Sequence, residues 1–344
     1  MTSIPLGDGA ARHGDGSALA PVIAVERLVK DYGSIRAVDD VSFAVRQGEI
    51  FGFLGPNGAG KTTTISILCT LLRPTSGQVR VGGHDVTRDR NRVRHSIGLV
   101  FQEPALDLKL TAEENLYLHA RLYGVTGSEY ARRLREVLEL VELWDRRRDK
   151  VETYSGGMKR RLEIARGLIH YPKVLFLDEP TLGLDPQTRN HLWAYVLRLK
   201  QEKEMTIFLT THYMNEAEYC DRIGVIDHGR LVTLDTPARL KEGVGGDVIL
   251  LRSRSPADAV IRELGQKLGL RAAADGDAVR LEIQDADRRV PEIVRALSVG
   301  VDAIEVRKPT LEDVFLKLTG HALRDVPGSG ERVSPMVRAM RGHR

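Results

Sequence analysis

Apolar residues along this chain come in short bursts divided by polar, glycine-bearing turns, and the spacing within the bursts changes in a regular way. "VIAVERLVKDYG" and "AVDDVSFAVRQGEIFGFLG" predict strands joined by turns. A helix is expected from Lys61 to about Leu72, stopped by Pro74. "GQVRVGG" and "SIGLVFQE" read as further strands. From Thr111 to about Arg148 apolar residues recur at spacings of three and four, as at Leu134, Val137, Leu138 and Val141, which predicts helix. Ser155 to His170 reads as another helix. "KVLFLDEP" is continuously apolar, as a strand covered on both faces should be. Helix Pro186–Lys200, strand "MTIFLTTH", helix Asn215–Cys220 and strand "RIGVID" continue the alternation. Alternating strands and helices imply an α/β fold with a mostly parallel sheet and right-handed crossovers.

After about Gly243 the pattern changes. "DVILLRS", a helix over Pro256–Leu268, "AVRLEIQ", a helix over Asp287–Leu297 and "DAIEVRKP" predict a small α+β appendage over 244–320. "TLEDVFLKLTG" closes it as a short helix, with Thr310 as N-cap and Asp313 three residues on. Residues 1–21 read as a disordered leader. Residues 321–344 carry five arginines and two acids among Gly, Pro and Ser, and read as a basic flexible tail.

Composition narrows the class only modestly. The 344 residues suit two domains, with hydrophobic and charged content usual for a globular protein. No apolar run approaches the roughly 20 residues that span a bilayer, and the N-terminal stretch lacks the basic-then-apolar order of a secretion signal. A net charge of +4 is too small to argue for nucleic acid. Cys69 and Cys220 match no metal or redox spacing and read as small core residues of a reduced protein.

The chemistry starts at Gly55-Pro56-Asn57-Gly58-Ala59-Gly60-Lys61-Thr62. This run fits GxxxxGK[ST] and lies between a strand and a helix, the context a phosphate-binding loop requires. Glycines let backbone N–H groups turn inward around phosphates, and the following helix adds its positive end. Lys61 is expected on the β- and γ-phosphates. Thr62, followed by Thr63, is expected at Mg²⁺. A plain glycine-rich turn with an exposed lysine is the competing reading; the spacing and both flanks speak against it. Strand "VLFLDEP" then delivers Asp178 and Glu179, two acids at the end of an apolar run, costly there unless they serve a cation or a water. Asp178 suits Mg²⁺. Glu179 suits a general base on the attacking water. Capping of the next turn is the bland alternative.

In this order the motifs resemble the ATP-binding subunits of ABC transporters, over roughly residues 22–240. "YSGGMKRRLEIARGL" is similar to the family's signature sequence, with Tyr154 and Met158 where leucine and glutamine are usual. The resemblance implies a P-loop NTPase fold of the ABC type over 22–243, with a helical subdomain over about 103–170. It implies that Ser155, Gly156 and Gly157 cover ATP held by a second subunit. Gln102 resembles the family's lid glutamine, linking Mg²⁺ and the attacking water to the helical region. Asp185 of "GLDP" is expected at the dimer seam, and His212 at the γ-phosphate. Tyr32 is a candidate to stack on adenine; an aromatic covering a strand edge is the alternative there.

The resemblance therefore implies an ATPase working as a homodimer with ATP and Mg²⁺, peripheral to the cytoplasmic face of the membrane. A separate integral membrane permease would carry the pore, and no nucleic acid is expected. The segment "EPALDLKLTAEENLYLHARLYG" lies where the family docks that partner. "YSGGMKRRLEIARGLIHYPKVLFLDEPTLGLDP", "RKPTLEDVFLKLTG" and the appendage are similar to the daunorubicin-resistance type, which serves type-2 exporters. That likeness implies efflux of a hydrophobic compound such as an antibiotic. Lipid or polysaccharide export is the alternative cargo. An importer ATPase, a non-transport ABC ATPase and a binding module without catalysis are the rival classes; Glu179 and His212 argue against the last.

Overall fold

The computed structural model describes residues 20–102, 105–284 and 286–320. Most of the expected leader and all of the basic tail lie outside them.

The chain opens with an antiparallel layer. Strands β1 (Ile23–Tyr32) and β2 (Ile35–Val45) form a hairpin, and β1 continues onto β4 (Ser76–Val81) and β5 (His84–Asp85), in the order β2-β1-β4-β5. Between them run β3 (Ile50–Leu54) and α1 (Lys61–Leu68). After α2 (Arg90–Ser96) come β6 (Ile97–Val100), α3 (Ala112–Leu122), α4 (Gly127–Leu140), α5 (Gly156–Leu168), β7 (Val174–Asp178), α6 (Pro186–Lys203), β8 (Thr206–Thr211), α7 (Met214–Ala217) and β9 (Arg222–Asp227). Strand β10 (Arg230–Asp235) and α8 (Pro237–Glu242) end this part. The central sheet runs β10-β9-β3-β8-β7-β6, parallel throughout except for β10.

Alternation along the central strands builds two cores. Ile50, Leu54, Leu175, Leu177, Ile207 and Leu209 face one side and join the apolar faces of α3 to α6. Phe51, Phe53, Phe176 and Phe208 face the other side and meet the antiparallel layer. There Phe43, Phe51 and Phe208 stack with ring centroids 5.3 to 6.0 Å apart. Strands β3, β7 and β8 are buried from end to end, as the continuous apolar runs required.

The C-terminal unit is β11 (Asp247–Ser253), α9 (Ala257–Leu268), β12 (Ala272–Asp275), β13 (Ala278–Ile283), α10 (Ala286–Ala296), β14 (Val301–Arg307) and α11 (Leu311–Thr319). Its antiparallel sheet has the order β12-β13-β11-β14, a split βαβ arrangement over its own core of Ile249, Leu251, Val260, Leu264, Leu281 and Ile293. Helix α11 does not belong to that core. Leu311, Val314 and Phe315 join the core shared with α3 to α6, beside Ala217, Leu240 and Val244. Thr310 and Asp313 form a capping box, and buried Asp313 also pairs with Arg307 and Arg280. The segment "RKPTLED" is thus the rivet between the appendage and the rest.

Several boundaries differ from expectation for local reasons. Helix α1 stops at Leu68 because Thr70 takes a left-handed φ of +64° and the Leu71 and Leu72 N–H groups both return to the Ser66 carbonyl. The helical pattern over 111–148 is two helices, split where Gly124 and Gly127 take φ of +74° and +59°. Helix α2 escapes periodicity because only Val93 and Ser96 are buried. Strand β12, "AAAD", carries no strand-forming side chains.

Where the helical subdomain meets β6, Tyr123 stacks on His170 at 3.9 Å, with His119 5.0 Å from Tyr123. His170 Nε2 lies 2.8 Å from the Ile97 carbonyl. Burial pushes both histidines down to about 4; Arg166 adds to this at His119, and His95 and Arg133 add to it at His170. Both are therefore neutral in the fold and protonate more readily once unfolded. The stability this contributes is full above pH 6.5 and is lost as pH falls toward 4, by about 3 kcal/mol for each histidine. The melting temperature should drop across that window, and His119→Leu should flatten the drop.

Candidate functional site

The loop from Gly55 to Gly60 is shaped by close approach. A Cβ on Gly55 would sit 2.3 Å from the Ile226 carbonyl oxygen. Gly60, the N-cap of α1, has φ of +105° and no side-chain cap, so the first N–H groups of the helix remain available to an anion. Asn57, Gly58 and Thr62 are exposed, Pro56 and Thr63 are half-buried, and Ala59 is buried against the core. Pro56 and Asn57 also line a cavity of about 1140 Å³ whose far wall is β12, Arg280 and Lys317 of the C-terminal unit.

Lys61 is only 4% exposed. Its Nζ donates to the Gly55 carbonyl at 2.8 Å and the Pro56 carbonyl at 3.1 Å, and lies 3.3 Å from Glu179 Oε1. Burial lowers its pKa, and Glu179 and Asp178 oppose that effect. Strand β7 ends at buried Asp178, whose Oδ1 accepts the Thr210 hydroxyl at 2.5 Å. Burial raises the Asp178 carboxyl. The next residue, Glu179, takes a left-handed φ of +45°, a strained conformation for a side-chain-bearing residue. This turn brings Oε1 to 3.3 Å from His212 Nδ1, just past the end of β8. Burial would push the Glu179 carboxyl up, but His212 and Lys61 outweigh it and hold it below the usual glutamate range. An ionised carboxylate between an ammonium and an imidazole can accept a proton from water.

The structure brings Lys61, Asp178, Glu179 and His212 together, and Thr62 opens the helix beside them. It does not bring the signature residues there. Ser155 caps α5 by accepting the Met158 N–H at 3.3 Å. Gly157 packs where a Cβ would lie 2.5 Å from Thr188 Cγ2. Ser155 and Gly157 line a separate small cavity with Leu184 and Thr188, which contains no residue of the phosphate loop; Gly156 is open above it. Asp185 has a local task, capping α6 through the Thr188 N–H at 3.0 Å and the Thr188 hydroxyl at 2.6 Å. Gln102 is exposed two residues beyond β6. Tyr32 ends β1 with Lys30 Nζ 5.0 Å from its ring centre.

Sequence reasoning missed Arg160. It is 7% exposed on α5, and its guanidinium donates to the carbonyls of Pro180 (2.8 Å), Asp178 (3.2 Å) and Phe101 (2.5 Å) and to Glu163 (3.0 Å). One side chain thus ties the signature helix to the turn after β7 and to the residue before Gln102. The signal was an arginine within a helix otherwise read only for its small N-terminal residues. Both cysteines are buried and free, as expected.

The model of the family described as "ABC transporter" matches residues 38–182, and that of the "ATP-binding protein DrrA1-3-like, C-terminal domain" matches residues 236–319. The chain is 41% identical over 320 residues to the linearmycin resistance ATP-binding protein LnrL of Bacillus subtilis (strain 168), covering 88% of this chain and 100% of that protein. It is 42% identical over 317 residues to the daunorubicin/doxorubicin resistance ATP-binding protein DrrA of Streptomyces peucetius, covering 89% and 95%. Among solved structures it is similar to a dimeric ATP-binding cassette in a post-hydrolysis state with ADP and Pi, at 29% identity and a TM-score of 0.56, over 62% of this chain and 98% of that one. A phosphate loop, a buried acid pair and a signature helix on this scaffold, continued by an appendage of matching type, lead to one assignment: the chain belongs to the ATP-hydrolysing subunits of ABC transporters, of the daunorubicin-resistance type.

Proposed function

We propose that two copies of this chain close around two ATP molecules, and that the closing and reopening drive efflux of a hydrophobic, antibiotic-like compound through a separate membrane permease. The observation that carries this reading is the split of the site. The phosphate loop, Asp178, Glu179 and His212 meet in one place, while Ser155, Gly156 and Gly157 open a different helix, at a separate cavity. A second copy supplies the missing half, so ATP favours the closed pair over separate chains. Asp185 is assigned to the seam by the resemblance of its loop to the family's, and Tyr32 to the adenine as an aromatic able to stack on it.

Within each half, the loop amides from Gly55 to Gly60 and the N-terminus of α1 hold the phosphates. Lys61 exchanges its carbonyl partners for the β- and γ-phosphate oxygens. His212 orients toward the γ-phosphate, and Glu179, already ionised, takes the proton of the attacking water. The Thr62 hydroxyl and the Asp178 carboxylate form a hard oxygen donor set that fits Mg²⁺, with Gln102 as the lid ligand. Asp178 is a buried carboxylate with a raised pKa, which a divalent cation would stabilise. When bound, Mg²⁺ would neutralise charge between the β- and γ-phosphates.

No helix among the described residues is long and apolar enough to cross a membrane, so transport needs a partner. Leu118 and Leu122 stand one turn apart on α3 and are 54% and 79% exposed. This apolar pair falls within the segment expected at the permease and supports a peripheral position on the cytoplasmic face of the membrane. The resistance functions named for LnrL and DrrA favour drug-type cargo over lipid or polysaccharide. Compound-stimulated ATPase activity of the co-purified complex tests the cargo: stimulation by antibiotics and not by lipids is expected.

Glu179→Gln should keep ATP binding, lower kcat by at least about a hundred-fold and accumulate the closed pair in size-exclusion chromatography with ATP. Unchanged steady-state hydrolysis would defeat the base assignment. Lys61→Ala should remove most nucleotide binding while circular dichroism stays native; near wild-type turnover would overturn the role of the loop. Leu122→Asp should stay folded and lose co-purification with the permease.

A further inference from the structure

Water attack on the γ-phosphate requires the Glu179 carboxylate and the His212 imidazole at a fixed separation. Each follows the end of a strand, where a turn would otherwise be free to shift. Glu216, on α7, lies between those two turns and is 1% exposed. Its oxygens are divided between them. Oε1 accepts the hydroxyl of Thr181, two residues after Glu179, and Oε2 accepts the hydroxyl of Thr211, the residue before His212, at 2.6 Å. Both threonines are buried, at 1% and 0% exposure. Thr211 Oγ1 also accepts the Tyr213 N–H at 2.9 Å, so the turn carrying His212 is fastened on both sides of the imidazole.

A buried carboxylate is expensive to keep, and an apolar residue would fill the same space more cheaply. Burial raises the Glu216 carboxyl, the two hydroxyls oppose that, and the charges that bear on it are Arg189 and His212. Helix α7 itself is held from behind by α11, through Ala217, Leu311, Val314 and Phe315 in one core. The carboxylate is thus anchored independently of the turns it bridges.

We propose that Glu216 is a positioning residue for ATP hydrolysis: it sets the distance between the turn bearing Glu179 and the turn bearing His212, and does not touch the nucleotide. The proposal rests on the roles given above to Glu179 and His212. Because it acts on the reacting geometry, its loss should appear in kcat and spare nucleotide binding.

The test uses the full-length chain, with steady-state ATPase kinetics and binding of a fluorescent ATP analogue. Glu216→Ala should lower kcat by about ten- to a hundred-fold, the scale expected for sub-ångström to ångström misplacement, with KM and analogue affinity within about two-fold of wild type. Glu216→Gln should recover most of the rate, because an amide can accept one threonine hydroxyl and donate to the other. The double variant Thr181→Val/Thr211→Val, close in shape but leaving the buried Glu216 carboxyl without its two hydroxyl partners, is read only after circular dichroism shows it folded; it should match Glu216→Ala, and combining the three should add little. Wild-type kcat in that double variant or in folded Glu216→Ala overturns the proposal, as does a loss confined to KM or an equal loss in Glu216→Gln. Glu179→Gln is assayed in parallel. If it stays active, the underlying site assignment fails; if it is dead while Glu216→Ala is fully active, only the positioning claim fails.

Discussion

The contact on which the rest of this molecule depends is the buried ion pair between Lys61 and Glu179. An ammonium at 4% exposure and a carboxylate beside it are each unfavourable in a protein interior. They persist because the loop carbonyls of Gly55 and Pro56 receive the ammonium, and because His212 shares the carboxylate. The parallel sheet makes this possible. Strands β3, β7 and β8 are neighbours and end at the same edge, so the loop after β3, the acids after β7 and the histidine after β8 converge without any long excursion. The site is a topological consequence of adjacent parallel strands.

Around that centre the structure spends buried polar groups freely. Asp178 with Thr210, Glu216 with Thr181 and Thr211, and Arg160 with five backbone or side-chain acceptors form a polar seam under the turns. Such networks rigidify when every member is satisfied. The left-handed φ of Glu179 puts backbone strain on this seam at a residue of the candidate site. Arg160 also couples the helical subdomain to the phosphate side, because the same guanidinium grips the residue before Gln102 and the carbonyls around Glu179.

The appendage is joined to this machine through α11. Its apolar residues sit in the core shared with α3 to α6, and its capping box is locked by Arg280 and Arg307. The edge strand β12 then stands across a cavity from Pro56 and Asn57.

Much of this was legible in the residues. The phosphate loop, the acids after β7 and the histidine after β8 are carried by local motifs, since backbone wrapping of phosphates and a carboxylate at a strand end demand particular residues in consecutive positions. The continuous apolar runs of β7 and β8 declared their burial for the same reason. The sequence could not disclose Arg160 or Glu216, which are ordinary charged residues on helices until folding places their partners, the carbonyls 18 to 59 residues away for Arg160 and 35 for the Thr181 contact of Glu216, within hydrogen-bond reach. Nor could it show that α11 belongs to one core while following the strands of another, because apolar periodicity marks a face but not what covers it. Local chemistry is written in adjacent residues; the separation between groups on different strands is decided only by how the sheet and its helices pack.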